Sequence, residues 1–254
     1  MDAPKLIDGH EALIRALSVQ GELSLEDQRA VSSIPMTLRF FSSGDFIGRE
    51  GRSVSTCAVL IRGFAVRQKL TGLGDCQIVS LHGPGDALNF QNAFLEVPDY
   101  DVRSVEDCVA AFFDASAMRV LAAERSAVAN SLLIGAFTEA STAREWMLNL
   151  GRRNARTRLA HFLCEYLDRI SLRQHPADGR YKLRLTQEQI GDATGMTSVH
   201  VNRMLKDLQS DKLIKQLNRC LIVPDMAALM DAGEYNRRYL HLTQAKFCNA
   251  PASF

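Results

Sequence analysis

The side chains best suited to chemistry lie on one predicted helix, which runs from Ser198 to about Gln209. Asn202, Arg203 and Lys206 follow Val199 by three, four and seven residues, and this spacing places all four on one helical face. An arginine can donate two hydrogen bonds to guanine, an asparagine can pair with adenine, and a lysine attracts phosphate. These are the features with which a helix reads the major groove of a duplex.

Local signals around this helix predict the elements that would hold it in place. Thr186 and Gln189 form a capping-box pair, which predicts a first helix over Gln187–Thr194. Gly195 is expected to end that helix with a positive φ, and Thr197 to cap the second helix. The inner faces are apolar at Ile190, Ala193, Val201, Met204, Leu205 and Leu208. Two short helices joined by a glycine turn, with a polar outer face on the second, predict a helix-turn-helix.

The segment that follows predicts a wing. Residues 212–223 alternate around Asn218-Arg219, a pattern typical of a β-hairpin. A helical hairpin buried in a core is the alternative, but it would not need Asn, Arg and Lys on one open side. The predicted DNA-contacting residues are Thr186, Gln187, Ser198, Val199, His200, Asn202, Arg203, Lys206, Lys212 and Arg219. Base and phosphate contacts remain alternatives for Asn202 and Arg203, and His200 is either a DNA contact or a packed structural residue.

The charge distribution agrees with a nucleic-acid partner for the C-terminal half. Residues 152–254 contain 17 basic and 10 acidic side chains, a net charge of +7. Residues 1–151 contain 13 basic and 19 acidic side chains, a net charge of −6. A basic domain is the electrostatic footprint expected of a protein that binds the DNA backbone. The opposite signs predict two domains with different partners.

Composition and hydropathy indicate a globular chain without a membrane segment. Hydrophobic residues make up 46% of the 254 residues, which suffices for a packed core. No apolar run approaches the roughly 20 residues that span a bilayer, and no signal-peptide pattern is recognisable near the N-terminus. We therefore expect a cytoplasmic protein with no membrane partner.

Six cysteines are spread along the chain, and none forms a C-x-x-C motif. They are Cys57, Cys76, Cys108, Cys164, Cys220 and Cys248. Zinc sites and iron–sulfur clusters usually take at least two ligands from one short segment. We expect reduced, mostly buried thiols, no metal and no cofactor, with a single redox-sensing cysteine left open. No Ser/His/Asp, Cys/His or phosphate-loop pattern appears, so an enzyme is not expected.

Residues 36–120 differ from the rest, because short apolar runs alternate there with glycines after a helical lead-in over residues 6–33. The predicted strands are Thr37–Phe41, Cys57–Ile61, Ala65–Leu70, Gln77–Leu81 and Val109–Phe113. Short strands at intervals of roughly 8–12 residues predict an antiparallel sandwich or barrel.

A long helix is predicted over residues 126–150, and it carries an apolar stripe. The stripe consists of Leu133, Phe137, Ala140 and Met147, interrupted by Arg144. Pairing with a second copy of the chain would bury these five residues in a dimer interface, and packing on the chain's own β-domain is the alternative. Gly151 and the polar residues after it are expected to separate this helix from the next, over residues 155–170.

The order of these elements resembles the cyclic-AMP receptor and fumarate–nitrate reductase regulator (Crp/Fnr) family of bacterial transcription regulators. The residues that carry the resemblance are Gly51, Gly63, Pro84-Gly85-Asp86, Arg158-Leu159-Ala160, Thr186, Ile190-Gly191, Gly195, Val201-Asn202-Arg203 and Leu208. The stretches 144–151, 158–164 and 198–203 are similar to a large subgroup of uncharacterised members. The resemblance implies a homodimer on a two-fold symmetric site in double-stranded DNA, with RNA polymerase as a further partner.

The expected fold class is therefore α+β. Residues 1–125 would form the helical lead-in and a β-roll or jelly-roll like the cyclic-nucleotide-binding domains of the family. Residues 126–151 would form the dimerisation helix, 152–244 the winged helix-turn-helix domain, and 245–254 a flexible tail.

Departures from the family pattern concern the signal that the β-domain would sense. Cyclic-nucleotide binders carry Gly-Glu where this chain has Asn89-Phe90, and Arg-Ser or Arg-Thr near the place of Pro98-Asp99. We therefore expect no cyclic-nucleotide binding by the usual residues. Asn89, Phe90, Asp99 and Arg103 remain the candidate lining of a pocket for an unknown small-molecule effector, although Arg103 is better interpreted as a strand residue.

Two further family traits are absent. No cysteine precedes Cys57, so the N-terminal iron–sulfur cluster of the oxygen-sensing branch is not expected. Haem bound through His82 or a cysteine is an alternative, but a lone histidine in a strand is usually packed or solvated. Well-known branches carry a glutamate where this chain has Val199, so their operator sequences do not transfer.

Three functions remain open at this point. One is a regulator gated by a ligand in the β-domain, and the second is a constitutive regulator whose sensor domain has degenerated. The third is a cupin-like metalloenzyme with an appended DNA-binding module, which would need several metal ligands inside the barrel. Residues 36–120 contain only one histidine, His82, which disfavours that third function.

Overall fold

A computed structural model describes residues 9–18, 22–171, 180–217 and 220–241 of the chain. The chain divides into two compact units. Unit 1 comprises Met1–Lys69 and Leu81–Phe137, and unit 2 comprises Leu70–Ser80 and Thr138–Phe254.

Seven strands between Met36 and Asp114 form two antiparallel sheets. The strands are β1 (Met36–Phe41), β2 (Phe46–Gly48), β3 (Thr56–Arg62), β4 (Ala65–Leu70), β5 (Cys76–His82), β6 (Asp101–Ser104) and β7 (Cys108–Asp114). One sheet has the order β1-β7-β3 and the other β2-β6-β4-β5. Five strands lie where they were predicted, and Arg103, which was interpreted as a strand residue, lies on β6. Strand β2 was missed because it is short and lacks a continuous apolar run.

The central strand β7 is buried on both of its faces. Val109, Ala111 and Phe113 belong to a core shared with the flanking helices, whereas Ala110 and Phe112 belong to a second core shared with residues of the other sheet. Because successive side chains of a strand point to opposite faces, a continuous apolar run suits a strand that is covered on both sides.

Five helices surround or follow the sheets. They are α1 (Gly9–Ser18), α2 (Leu25–Ser32), α3 (Ala115–Glu124), α4 (Ser126–Arg152) and α5 (Ala155–Ser171). Helix α4 ends at Arg152 and α5 begins at Ala155, so the two helices are separated within the polar residues that follow Gly151, as expected. Asn154 Oδ1 accepts the backbone N–H of Thr157 (3.0 Å) and so starts α5.

The apolar stripe predicted on α4 is exposed in the single chain. The exposed fractions are 53% for Leu133, 68% for Phe137 and 72% for Met147, and Ala140 and Arg144 are also exposed. Leu133 and Phe137, which belong to unit 1, are therefore not buried within that unit. A stripe of this kind on a 27-residue helix is a surface that another molecule can cover.

Unit 2 contains α5 and the elements predicted for the winged helix-turn-helix. These are β8 (Arg180–Lys182), α6 (Gln187–Thr194), α7 (Ser198–Ser210), β9 (Lys215–Leu217), β10 (Cys220–Ile222) and α8 (Met226–Ala232). The three strands form an antiparallel sheet of order β8-β10-β9. Strand β8 ends at Lys182, where the hydroxyl of Tyr166 donates to the carbonyl of Lys182 and accepts the backbone N–H of Arg184 (2.8 Å each).

A buried carboxylate joins the end of α4 to α5 and to the C-terminal segment. One Glu165 oxygen accepts the indole N–H of Trp146 and the hydroxyl of Tyr239, both at 2.8 Å, and the other accepts Arg169 (2.8 Å). His161 lies beside them, and burial lowers its pKa below the usual range of histidine. Because Glu165 is 1% exposed, these donors offset the cost of burying its charge.

The described residues contain neither a single membrane-spanning helix nor a cluster of metal ligands. No single helix in the described ranges is long and apolar enough to cross a bilayer. Helices α3 and α4 together have the required length and composition, but they are bent by 115° where they meet. In the same ranges no group of three or more His, Cys, Asp or Glu side chains is placed to hold a metal ion.

Three cysteines are expected to resist alkylation in the native protein. Burial raises the pKa of Cys57 and Cys164 to about 12 and that of Cys108 to about 11, so almost no reactive thiolate forms near neutral pH. After treatment with iodoacetamide at pH 8, mass spectrometry should find these three unmodified until denaturant is added. The half-buried Cys76 and Cys220 provide the comparison. Modification of Cys164 as fast as that of Cys220 in the native protein would contradict this prediction.

Candidate nucleic-acid interface

Both helices of the helix-turn-helix begin at the residues predicted to cap them. The Thr186 hydroxyl oxygen accepts the backbone N–H of Gln189 (3.1 Å), and Gln189 Oε1 accepts the backbone N–H of Thr186 (2.9 Å). The Thr197 hydroxyl oxygen accepts the backbone N–H of His200 (3.2 Å) at the start of α7. These bonds satisfy N–H groups that have no partner within a first helical turn, so the sequence fixes where each helix starts.

Two glycines shape the turn between the helices. Gly195 has φ 62° and ψ 39°, a left-handed conformation that an L side chain adopts only at a cost. Gly191 is needed for space, since a Cβ there would lie 2.3 Å from the carbonyl oxygen of Met196. The close approach is thus between α6 and the backbone of the turn.

Replacing Gly191 by alanine is expected to destabilise unit 2. The added methyl group would overlap the Met196 carbonyl, so the turn must shift at a cost of about 1–3 kcal/mol. Thermal unfolding followed by circular dichroism should show a lower midpoint. Gly135→Ala is the matched control, because a Cβ at Gly135 meets nothing within 4 Å and alanine favours the helix. A midpoint for Gly191→Ala at or above that of the wild type would contradict the steric argument.

The two faces of α7 differ as predicted. Val201, Met204, Leu205 and Leu208 are buried, whereas Val199 is 79% exposed and Arg203 and Lys206 are also exposed. The outer face borders an open hollow of about 390 Å³, lined by Gln187, Ser198, Val199, Asn202, Arg203 and Lys206. Hydrogen-bonding, basic and apolar groups therefore share one accessible surface at the start of α7.

One hydrogen bond links the two helices at this surface. The Nδ2 group of Asn202 donates to Oε1 of Gln187, the first residue of α6, at 3.2 Å. Both side chains are half-buried, in contrast to the open Arg203. No local pattern indicates this pairing, since the residues are 15 positions apart and lie on different helices.

Arg158 on α5 holds the turn in place through three backbone carbonyls. Its Nη1 donates to Thr194 O (2.9 Å) at the end of α6, its Nε to Asn149 O (3.1 Å) and its Nη2 to Arg153 O (3.0 Å). A guanidinium has five N–H donors in a fixed plane and can therefore join three chain segments at once. Sequence reasoning noted Arg158 only as part of a family pattern and did not anticipate this role.

The remaining predicted DNA contacts fall on the same unit, and their contacts with DNA stay predictions. Thr186, Ser198 and Lys212 are exposed, and His200 is half-buried. Lys212 has a positive φ of 60° at the turn after α7. Arg219 lies outside the described residues.

The four candidate effector residues have separate structural environments. Asn89 is buried, and its Oδ1 accepts the backbone N–H of Ala58 (2.6 Å), while Phe90 begins a short 3₁₀ helix and packs on the helical core. The Asp99 carboxylate lies 3.6 Å from Lys69 Nζ. Arg103 lies on β6, and its Nε donates to Gly44 O (3.0 Å). No hydrogen bond or ion pair described for these four residues joins one of them to another, and the effector pocket stays a prediction.

Two protein-family models match the chain. The model described as "Crp-like helix-turn-helix domain" matches residues 157–232, and the one described as "Cyclic nucleotide-binding domain" matches residues 38–125. The first match contains α6, α7 and Arg158, and the second contains the strands β1 to β7 except the first two residues of β1.

Curated relatives and solved structures extend over most of the chain. The transcriptional activator protein FnrL of Cereibacter sphaeroides is 28% identical over 201 residues, which cover 77% of this chain and 80% of the relative. The transcriptional activatory protein AadR of Rhodopseudomonas palustris is 28% identical over 225 residues, which cover 88% of this chain and 89% of the relative. The structure of FixK2 from Bradyrhizobium japonicum superposes with a TM-score of 0.73 at 23% identity and covers 80% of this chain and 100% of that chain. The structural likeness shows the same fold.

Proposed function

Because the chain belongs to the Crp/Fnr family of transcription regulators, we propose that it acts in the cytoplasm as a homodimer that recognises a two-fold symmetric DNA site through α7. The observation that carries this proposal is the contrast between the two faces of α7. Its inner face is buried to 8% exposure or less, while its outer face presents Val199, Arg203 and Lys206 to solvent. A helix built only for a core has no need of such a face.

We assign base reading to the start of α7 and backbone contacts to its surroundings. Arg203 would donate two hydrogen bonds to guanine, Asn202 would pair with adenine, and Val199 would pack on a thymine methyl group. The groups expected at phosphates are those of Thr186, Gln187, Ser198, Lys206, Lys212 and Arg219, the last of which lies outside the described residues. Two roles stay open for His200, a contact with DNA and a structural role in packing.

The exposed stripe of α4 supports the homodimer. Leu133, Phe137, Ala140, Arg144 and Met147 alternate in steps of four and three, which keeps them on one side when two helices coil around each other. A second copy would cover this stripe with an identical one. Two recognition helices related by a two-fold axis would then meet half-sites one helical turn apart. RNA polymerase is the partner we propose for the bound dimer.

We further propose that cyclic nucleotides are not bound in the way typical of the family. Asn89, which stands at the position of the family's glycine, uses its amide to bridge the backbone at Ala58 and Thr56. Asp99 places a carboxylate near the position where a phosphate-binding arginine is usual, and a carboxylate repels a phosphodiester. The signal is either another small molecule or none, and titrating DNA binding with and without cell extract separates these two cases.

Selection of bound sequences from random DNA by the purified full chain tests the function. We expect a consensus made of two inverted half-sites. A consensus without two-fold symmetry would contradict the symmetric dimer, and recovery of no preferred sequence would contradict sequence-specific regulation.

A further inference from the structure

We infer that Gln187 determines DNA specificity without touching a base, because it orients the amide of Asn202 that reads one. This inference rests on the proposed function and deepens it. A glutamine at the start of the first helix would otherwise be interpreted as a phosphate contact. Such a contact changes the affinity for all DNA sequences alike.

The structure places the two amides in a defined order. Asn202 Nδ2 donates to Gln187 Oε1 at 3.2 Å, and the two side chains border the same hollow beside Val199 and Arg203. Among the described residues, neither Asn202 Oδ1 nor Gln187 Nε2 has a hydrogen-bond partner in the protein. Each amide therefore keeps one free end on the surface that would meet DNA.

The free groups of Asn202 match adenine. Its amide has two N–H groups and one carbonyl oxygen, and the bond to Gln187 occupies only one N–H. One N–H and Oδ1 remain for adenine N7, an acceptor, and adenine N6, a donor. An amide turned by 180° would present its groups in the reverse order and would suit adenine poorly. Holding the donor end toward Gln187 Oε1 prevents that reversal, so discrimination depends on the partner.

The free group of Gln187 matches the DNA backbone. Phosphate oxygens only accept hydrogen bonds, so a phosphate at the start of α6 selects the orientation in which Gln187 Nε2 points outward. That orientation turns Oε1 toward Asn202, as the structure has it. The hydrogen bonds would then form one continuous chain from the phosphate through Gln187 and Asn202 to adenine. Each group in this chain sets the orientation of the next.

Three variants separate orientation from phosphate binding. Dissociation constants are measured for wild type, Gln187→Ala, Gln187→Glu and Asn202→Ala on the selected operator and on a panel with each base pair of the half-site replaced. Asn202→Ala should lose about tenfold discrimination at one base pair. Gln187→Ala should lose discrimination at that same base pair and also bind all sequences more weakly. Gln187→Glu keeps the acceptor but repels phosphate, so it should bind all sequences more weakly and keep the discrimination.

Lys206→Ala is the matched control, because it removes an exposed charge and should weaken binding uniformly. Circular dichroism melts establish that each variant is folded. If Gln187→Ala weakens binding to all duplexes equally and leaves the discrimination between base pairs unchanged, Gln187 is a phosphate contact only and the inference is overturned. An unchanged profile for Asn202→Ala also overturns it. A wild-type protein that prefers no operator over a scrambled duplex would instead refute the proposed function itself.

Discussion

Arg203→Ala is expected to abolish selective DNA binding while the dimer stays folded. Arg203 is exposed on the outer face of α7, so its loss leaves no cavity and no buried group without a partner. A bidentate arginine–guanine contact contributes about 1–3 kcal/mol of discrimination. In a two-fold dimer the contact is lost twice, so the effect on a symmetric operator is about double that amount. Fluorescence anisotropy with the selected operator and a scrambled duplex measures the change.

The controls distinguish base reading from charge. Lys206→Ala also removes one positive charge from the same face, but it should weaken binding to both duplexes alike and reduce the salt dependence. Arg203→Ala should instead bring the two affinities together. An Arg203→Ala variant that selects the same sites with the same strength would show that α7 is not the recognition helix, or that its register is wrong.

Phe137→Glu is expected to convert the protein to a monomer with little affinity for the full operator. Phe137 is 68% exposed in the single chain and is the bulkiest apolar residue of the α4 stripe, so two copies would place two carboxylates opposite each other in an apolar seam. A monomer holds only one half-site, and losing the linked second half-site costs about 10²–10⁴-fold in affinity. Sedimentation analysis gives the oligomeric state, and mobility shifts on full and half operators give the affinities.

Val120→Glu provides the matched control for this change. Val120 is also an exposed apolar residue on a helix, 55% exposed on α3, but it lies outside the stripe. It should remain dimeric and bind as the wild type does. A Phe137→Glu protein that still sediments as a dimer and binds the full operator normally would refute the α4 interface.

The helix-turn-helix was predictable almost to the residue because its signals are local. The capping residues Thr186 and Thr197 satisfy N–H groups within three residues of themselves, and Gly195 carries a positive φ within the turn. The long helix was also predictable from its spacing, and it ends within the polar stretch that was expected to separate it from α5. Gly151 itself still belongs to the last turn of α4, where a glycine costs only about 1 kcal/mol.

The β-domain was predictable only in outline. Strand β7 was recognisable because a continuous apolar run marks a strand covered on both faces. In strand β6 only Arg103 was recognised as a strand residue, because the four residues include Asp101, Arg103 and Ser104, and the pairing with β4 depends on a partner more than 30 residues away. Short polar strands carry little periodicity of their own, so their place is decided by the sheet around them.

By itself, the sequence determined the family, the position of α6 and α7 and the residues on the outer face of α7, because helix caps, turns and periodicity act within a few residues. Only the tertiary structure showed that Asn202 meets Gln187, that Arg158 joins three chain segments, and that the α4 stripe is left uncovered. These features depend on side chains that are distant in sequence and meet only when the helices pack, and a hydrogen bond or a buried surface has no sequence pattern until both of its partners are in place.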